Sequence, residues 1–261
     1  MSLRSFQRGK ALPLLCALFL VAALSVAPSL ADNHELPSAD EIIARHIEAL
    51  GGEAAIRAHA SITTQGAFEI PAMGMSAATT IYQIAPDKGI VRISMPGMGE
   101  TVQAYNGEIG WIEDAMQGNR VLEGAELGAI KRQLGMHSEL KYGEHYPERT
   151  TAGEAEWNGQ AAYQVDLVDA DGTESSRYFS IETGLLIGEE GSITTDMGPS
   201  ATNTTWSDYK EFGGMMFATS ATTNLVAMGM DFIQTVESVT FDDVDPSVLE
   251  PSDAIKALLP E

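Results

Sequence analysis

Residues 86–99, PDKGIVRISMPGMG, contain one predicted strand with a turn at each end. Val91, Ile93 and Met95 alternate with Arg92 and Ser94, and this period of two places the three apolar side chains on one face of an extended chain. The Pro-Asp-Lys-Gly before the alternation and the Pro-Gly-Met-Gly after it are typical turn sequences. The stretch therefore predicts an antiparallel strand with one buried face.

The same alternation of strand and turn runs through most of the chain. Asn-Gly at 106–107 and 158–159 and Asp-Gly at 171–172 favour hairpins, because both residues of such a turn adopt positive φ. About eleven or twelve consecutive strands predict a mainly β (α+β) fold with one large, curved antiparallel sheet. The predicted strands are 61–70, 75–85, 89–95, 100–105, 109–113, 150–157, 161–168, 173–180, 185–192, 201–212, 215–226 and 230–241.

Two segments have helical spacing instead. Ser38 and Glu41 form the pattern of a capping box, and apolar residues follow at 43, 47 and 50. Leu127, Ile130 and Leu134 have the spacing of a second helix. We expect the helices to cover the concave face of the sheet, because a sheet must bury one face against another element.

The first thirty-one residues have the three parts of a secretory signal peptide. Arg4, Arg8 and Lys10 precede an apolar run at 12–26, and Ser29-Leu30-Ala31 supplies small residues for cleavage. The run is about 15 residues long, short of the roughly 20 that a membrane-spanning helix needs. We therefore predict cleavage after Ala31, a periplasmic location, and a single domain over 32–261 without a membrane span.

The cysteine content and the charge exclude several classes of function. The only cysteine, Cys16, lies inside the apolar run behind Leu15, a context that argues against lipid attachment. The mature chain then has no disulfide and no thiolate. The formal net charge is −22, and loss of the leader's three basic residues makes it −25. Such a surface repels nucleic acid and anionic lipid headgroups.

Short motifs spread over nearly the whole mature chain resemble those of one family. They lie at strand starts and turns, and include IIARHIEALGG at 42–52, APDK at 85–88, YNGEIGW at 105–111, NGQAAYQV at 158–165, YFSIETGLL at 178–186 and SDYKEFGG at 207–214. Together they resemble the exported outer-membrane lipoprotein-sorting proteins of the LolA/LolB half-barrel superfamily. The resemblance implies a half-open β-barrel around an apolar cavity, with the helices as a lid.

The resemblance also implies a function. Members of that superfamily bind acyl chains or other hydrophobic ligands. We therefore expect a soluble exported carrier for a lipid or a lipoprotein acyl group, with an envelope protein as a further partner. No cofactor and no catalytic residue is predicted. The residues expected to line the cavity are Phe68, Ile81, Val91, Ile93, Met95, Val102, Leu127, Ile130, Leu134, Val165, Leu167 and Phe217.

Other functions stay open at this point. A non-catalytic interaction or sensor module on the same fold would have a core closed by large side chains. An enzyme lacks support, because nucleophile-elbow and phosphate-loop motifs are absent. Eleven methionines follow the leader, some in Met-Gly-Met turns. They suit a plastic apolar lining, a Cu(I) site or plain core filling. The histidines lack zinc-site spacing, and Asp166, Asp169 and Asp171 suggest a hairpin turn more than a calcium loop.

Overall fold

A computed structural model of the chain describes residues 35–195 and 198–259. The predicted leader and its cleavage site lie outside the described residues. Within the described part, the helices are α1 Ala39–Ala49, α2 Gly52–Ile56, α3 Gly124–Leu134, α4 Tyr142–His145 and α5 Asp253–Lys256. Short 3₁₀ turns occupy Pro71–Met73, Ser138–Lys141 and Pro246–Leu249.

The strands follow one another as a meander that the helices interrupt once. Their bounds are β1 Ser61–Ile70, β2 Met75–Ile84, β3 Lys88–Met95, β4 Gly99–Tyr105, β5 Gly110–Asp114, β6 Arg120–Leu122, β7 Glu148–Trp157, β8 Gln160–Val168, β9 Glu174–Ser180, β10 Leu186–Thr195, β11 Gly198–Phe212, β12 Met215–Leu225 and β13 Met230–Phe241.

All these strands form one antiparallel sheet, in the order β6-β5-β4-β3-β2-β1-β13-β12-β11-β10-β9-β8-β7. The sheet is open, because its edges β6 and β7 do not pair, and this confirms the predicted half-barrel. The one strand that the sequence pattern missed is β6, whose three residues are too few for an alternation to be recognised.

The first helix forms for the reasons read from the sequence. The Ser38 hydroxyl accepts a hydrogen bond from the Glu41 backbone N–H, and the Glu41 carboxylate accepts from the Ser38 N–H at 2.8 Å. Ile42 and Ile43 then pack on Val165, Leu167 and other buried residues of β8–β10. The helix therefore covers the inner, concave face at the β7 side of the sheet.

The remaining cover differs from one side of the sheet to the other. On the inner face, Ile130 and Leu134 of α3 pack on Val91 and Tyr105. On the opposite, outer face of the same strands, the C-terminal residues Leu249 and Ile255 pack on the buried Ile90 and Val102. The expectation of a sheet with one buried side is therefore wrong for β3 and β4, whose two faces are both covered.

At the centre of the sheet, a contact between His59 and Asp242 links the start of β1 to the end of β13. The His59 ring lies 2.9 Å from the Asp242 carboxylate and stacks on Phe241 at 4.0 Å. The other carboxylate oxygen accepts from the Ala60 backbone N–H at 2.6 Å. The bond to Asp242, with a second to the Gly213 carbonyl, raises the pKa of His59. The bond to His59, with those to the backbone, lowers the pKa of Asp242.

These shifts predict how stability depends on pH. The His59 contribution is present below its unfolded pKa of about 6.5 and is lost as pH rises through the raised folded value. The Asp242 contribution is lost only as pH falls through its lowered value. We expect His59→Phe, which keeps a ring on Phe241, to cost more stability at pH 6 than at pH 8, measured by urea midpoints. Burial lowers the pKa of His145, so protonation of this histidine at low pH destabilises the folded wild type. The stability of the wild type relative to His145→Phe should therefore be lower at pH 6 than at pH 8, the reverse of the trend for His59→Phe.

Candidate functional site

The inner face of the half-barrel carries an open groove of about 540 Å³. One wall comes from the helical segment 129–146, and the floor comes from the inner sides of β9–β13. The lining residues are Ala129, Arg132, Gln133, Ser138, Glu139, Tyr142, His145, Tyr146, Asp169, Thr173, Glu174, Ser175, Arg177, Glu189, Gly191, Ser192, Ile193, Thr202, Thr204, Trp206, Ala221, Thr223 and Gln234. Most of them are polar, although the resemblance predicts an apolar cavity.

Arg177 of β9 is the centre of the polar part. Its Nε donates to the Glu189 carboxylate at 2.7 Å, and its two terminal nitrogens donate to the hydroxyls of Tyr142 and Tyr146. Its guanidinium also lies 5.2 Å from the centre of each tyrosine ring. The Arg177 charge is thus neutralised by one carboxylate and enclosed by two rings, which joins the helical wall to the sheet.

The tyrosines hold uncharged hydroxyls against this arginine. Burial raises the pKa of Tyr142 well above its usual value, and burial likewise raises that of Tyr146. Both hydroxyls therefore stay protonated at neutral pH and accept from Arg177. Beside them, the Glu139 carboxylate lies 3.6 Å from Nε2 of the buried His46, whose Nδ1 is 3.1 Å from the Gly184 carbonyl.

A second ion pair stands where the groove meets the β8–β9 turn. Arg132 donates to the Asp169 carboxylate at 2.6 Å. The other Asp169 oxygen accepts from the backbone N–H groups of Asp171 and Thr173 at 2.9 and 2.8 Å. Asp169 therefore organises this hairpin turn, which was the plainer of the two sequence interpretations. Within residues 35–195 and 198–259, no group of three or more His, Cys, Asp or Glu side chains is placed to hold a metal ion.

The other end of the groove is lined by Trp206 and Ala221 together with the polar Thr223 and Gln234. Trp206 and Ala221 lie opposite each other on β11 and β12 and line it. Thr223 lies opposite Phe232, and Gln234 lies opposite Phe68, so these two phenylalanines continue the same inner face. Their rings stack at 5.7 Å and are half-buried. Sequence reasoning identified Phe68 but missed Phe232.

The structure brings six of the twelve predicted lining residues together, in the packed cluster under α3. These six are Ile81, Val91, Ile93, Leu127, Ile130 and Leu134. Val165 and Leu167 pack under α1, and Phe217 packs near α2. Met95, half-buried, ends β3. None of the twelve is among the described residues that line the groove.

Val102 does not face the interior of the half-barrel. Its side chain lies on the outer face, against Leu249 and Ile255, and is separated from Val91 by the sheet itself. The expectation that it shares the interior with Val91 is therefore wrong. The cause is the C-terminal segment, whose position on the outer face could not be read from the alternation in β4.

The three tryptophans have different environments. Trp111 is fully buried in the cluster on the outer face, and its indole N–H donates to Glu113 at 3.1 Å. Trp157 packs on Tyr178 with ring centres 4.6 Å apart and donates to Thr205. Trp206 alone of the three lines the groove, whereas Trp157 lines a separate pocket with Tyr178 and Glu190.

Comparison with known proteins gives a fold but no family. No family model and no curated protein matches the chain. Among solved structures, it is similar to a DUF1329 family protein from Desulfovibrio piger at a TM-score of 0.59 and 11% identity, over 85% of this chain and 99% of that one. It is also similar to a LolA superfamily protein from Nitrosomonas europaea, at 0.59 and 10%, over 83% and 99%.

A third structure, described as an outer membrane lipoprotein-sorting protein domain from Vibrio parahaemolyticus, matches at a TM-score of 0.55 and 11% identity, over 84% of this chain and 98% of that one. At such identities the likeness shows the fold alone. It confirms the predicted LolA-like half-barrel. In the described part of the chain, none of the helices has the length and apolar character needed to span a bilayer.

Proposed function

We propose that this LolA-like half-barrel is an exported binding protein that carries an amphipathic, lipid-like ligand in the groove of its concave face. One observation carries the proposal: the groove has a polar end at Arg177 and Glu189 and a second end at Trp206 and Ala221, beyond which Phe232 and Phe68 continue the same inner face. A ligand with a polar head and an acyl chain matches that gradient.

The size and openness of the groove support a small ligand. Its volume of about 540 Å³ falls within the range of about 300–1,000 Å³ that is typical of ligand pockets. An acyl chain laid along Trp206 toward Phe232 and Phe68 would gain roughly 0.8 kcal/mol for each methylene removed from water. The threonines of β11 and β12 offer hydroxyls for a headgroup or its linkage.

The charges favour a headgroup without net charge. Arg177 already has Glu189 as its partner, and Arg132 has Asp169. The chain as a whole is strongly acidic, with a net charge of −22. An anionic headgroup would meet repulsion from that field without a free arginine to offset it. We therefore infer a zwitterionic or uncharged head.

The same pairing supports binding over catalysis. A general acid or base must reach the proton that it transfers, and a nucleophile needs a base at hydrogen-bond distance. The carboxylates of Glu189 and Asp169 are held by arginines instead. We infer from this that neither of these two carboxylates acts as a general base or nucleophile, and we propose a non-enzymatic role.

A second candidate, an interaction or sensor module, is favoured by one specific observation. The predicted lining residues fill packed clusters under α1 and α3, as such a module requires. In that case the groove would receive a segment of another protein in place of a lipid.

Blocking the groove tests the proposal. Ala221 lies on the floor beside Trp206, so Ala221→Phe would fill the space that an acyl chain needs. We expect it to weaken binding of a lysophosphatidylcholine, titrated below its micelle concentration, at least tenfold. Binding would be followed by tryptophan fluorescence and by native mass spectrometry of protein produced from the full chain.

Ala201→Phe is the matched control, because Ala201 is an exposed alanine of β11 outside the groove. It should leave the affinity unchanged. Wild-type protein that neither retains lipid through mild purification nor binds the lysolipid would contradict a carrier function. Retention of a peptide in the groove would favour the interaction module.

A further inference from the structure

One end of the half-barrel carries a row of exposed methionines. The turns after β1, β3, β5 and β12 hold Met73, Met98, Met116 and Met228, whose exposed fractions are 60, 44, 72 and 46%. We call these four residues the methionine rim. In an antiparallel meander every second turn lies at the same end of the sheet, which groups the turns after β1, β3 and β5. Because β13 pairs antiparallel with β1 and with β12, the β12–β13 turn lies at that end too, so the four tips share one end of the sheet.

The tips are also neighbours along that end of the sheet. In the strand order, the β5–β6, β3–β4, β1–β2 and β12–β13 hairpins follow one another without interruption. Adjacent strands are about 4.8 Å apart, so successive tips are spaced by about 10 Å. The rim is therefore a line of thioether side chains along the lip of the half-barrel, with each methionine on a separate hairpin.

These tips stand out by their lack of charge. The turns 71–74, 96–98, 115–119 and 226–229 contain no Asp, Glu, Lys or Arg, although 20% of the chain is charged. Exposed Val226 adds to one of them. At the opposite end the turns 85–87, 106–109 and 181–185 each carry an acidic residue, whereas 158–159 and 213–214 carry none. At the end that holds the rim, the β8–β9 turn carries Asp169 and Asp171. The methionine Met215, which begins β12 at that end, is buried.

The groove opens toward the same edge. Ile193, near the end of β10, is both exposed and part of the groove lining. Thr173 and Glu174, at the start of β9, line the groove from the same end. A ligand leaving the groove in this direction would pass beside the methionine rim.

We propose that the methionine rim docks the half-barrel on a lipid surface without net charge, with the mouth of the groove facing that surface. Flexible, polarizable methionine side chains adapt to a soft partner. Four uncharged tips in a line can each enter the headgroup layer to a shallow depth. Cores of stable protein interfaces are enriched in aromatic residues and arginine as well as methionine, and the rim supplies methionine without any aromatic residue or arginine. Passage of a ligand between surface and groove rests on the proposed function, whereas docking itself does not.

The net charge of −22 makes the proposal selective. Anionic headgroups repel the acidic body of the protein, so docking should favour zwitterionic lipid. A docking edge that relied on basic residues would show the reverse preference. Phosphatidylcholine and phosphatidylglycerol vesicles are therefore the two probes.

Vesicle flotation tests this directly. We expect wild-type protein to float with phosphatidylcholine vesicles and several-fold less with phosphatidylglycerol vesicles. The variant with Met73→Ser, Met98→Ser, Met116→Ser and Met228→Ser should lose at least tenfold of the bound fraction. Its urea midpoint should stay near that of the wild type, because the four side chains are exposed.

A matched pair of double variants separates the rim from general surface hydrophobicity. Met73→Ser with Met228→Ser should reduce flotation several-fold. Leu36→Ser with Leu258→Ser removes two exposed apolar side chains elsewhere and should change flotation less than twofold. Equal effects of the two pairs, absence of flotation by the wild type, or a rim variant that changes only the oligomeric state would each overturn the proposal.

The lysolipid titration distinguishes this inference from the proposed function. Rim variants should bind lysophosphatidylcholine in solution as the wild type does, because the groove is intact. Wild-type protein that binds the lysolipid but no vesicles would refute docking and leave the carrier function standing. Flotation without lysolipid binding would do the opposite.

Discussion

Replacing Arg177 by leucine should lower the free energy of unfolding by about 3 kcal/mol, because it leaves the partly buried carboxylate of Glu189 without a partner. The side chains of Arg177 and Glu189 are only 17% and 26% exposed. Without the guanidinium, Glu189 loses its partner, and the hydroxyls of Tyr142 and Tyr146 lose the donor that ties the helical wall to the sheet. We expect the urea midpoint, followed by circular dichroism, to fall accordingly.

The pair Arg120–Glu126 is the matched control, since its side chains are 48% and 51% exposed. Arg120→Leu should cost about 0.5 kcal/mol or less. Adding Glu189→Leu to Arg177→Leu should restore part of the stability, because a buried pair replaced on both sides leaves no uncompensated charge. Arg177→Leu and Arg120→Leu variants of equal stability would show that the Arg177 network contributes nothing specific.

The strands and the first helix were predictable because their causes are local. Alternation and turn dipeptides gave twelve strands with ends within a few residues, and the capping box at Ser38 set the start of α1. Short-range sterics and hydrogen bonds decide these features. The resemblance supplied the half-barrel, which the pattern of strands alone does not specify.

The groove was not predictable, because its residues meet only in the folded sheet. Tyr142, Arg177 and Glu189 come from a helix and two strands. The alternation of side chains along a strand does place Arg177 on the same face as Phe179. A charged residue on an otherwise apolar face was therefore a usable signal for the groove. Most of the apolar residues chosen for the lining are instead ones that helices cover, since the strongest apolar alternation marks packed surface and not open surface.

The methionine rim was partly predictable, unlike the groove, but less so than the strands. The Met-Gly-Met turns were visible in the sequence, but their meaning depends on topology. In a meander alternate turns share one end of the sheet, which groups Met73 with Met98, whereas Met228 joins them only because β13 pairs with β1. The missed strand β6 hides Met116 from such a count.

The largest backbone effect is expected at Gly66 in β1. A Cβ at this position would lie 1.8 Å from the Thr235 carbonyl oxygen and 2.8 Å from its carbon. The pairing of β1 with β13 steps there from Gln65–Ser238 to Gly66–Val236, which leaves Glu237 as the extra residue of a bulge. The bulge presses the Thr235 carbonyl against β1, and only glycine leaves room for it.

We therefore expect Gly66→Ala to cost about 3 kcal/mol or more, because backbone atoms of a central strand must move to remove the clash. Gly191→Ala on β10 is the matched control: its Cβ would meet side-chain oxygens at 3.5 and 3.8 Å, which is ordinary contact. The control should stay within about 1 kcal/mol of the wild type, as for other strand substitutions. Because the bulge also bends the sheet at the centre of the concave face, Gly66→Ala should weaken lysolipid binding even below its unfolding midpoint. A variant as stable as Gly191→Ala, with full lysolipid affinity, would show that β1 and β13 can separate without cost, against the close approach seen here.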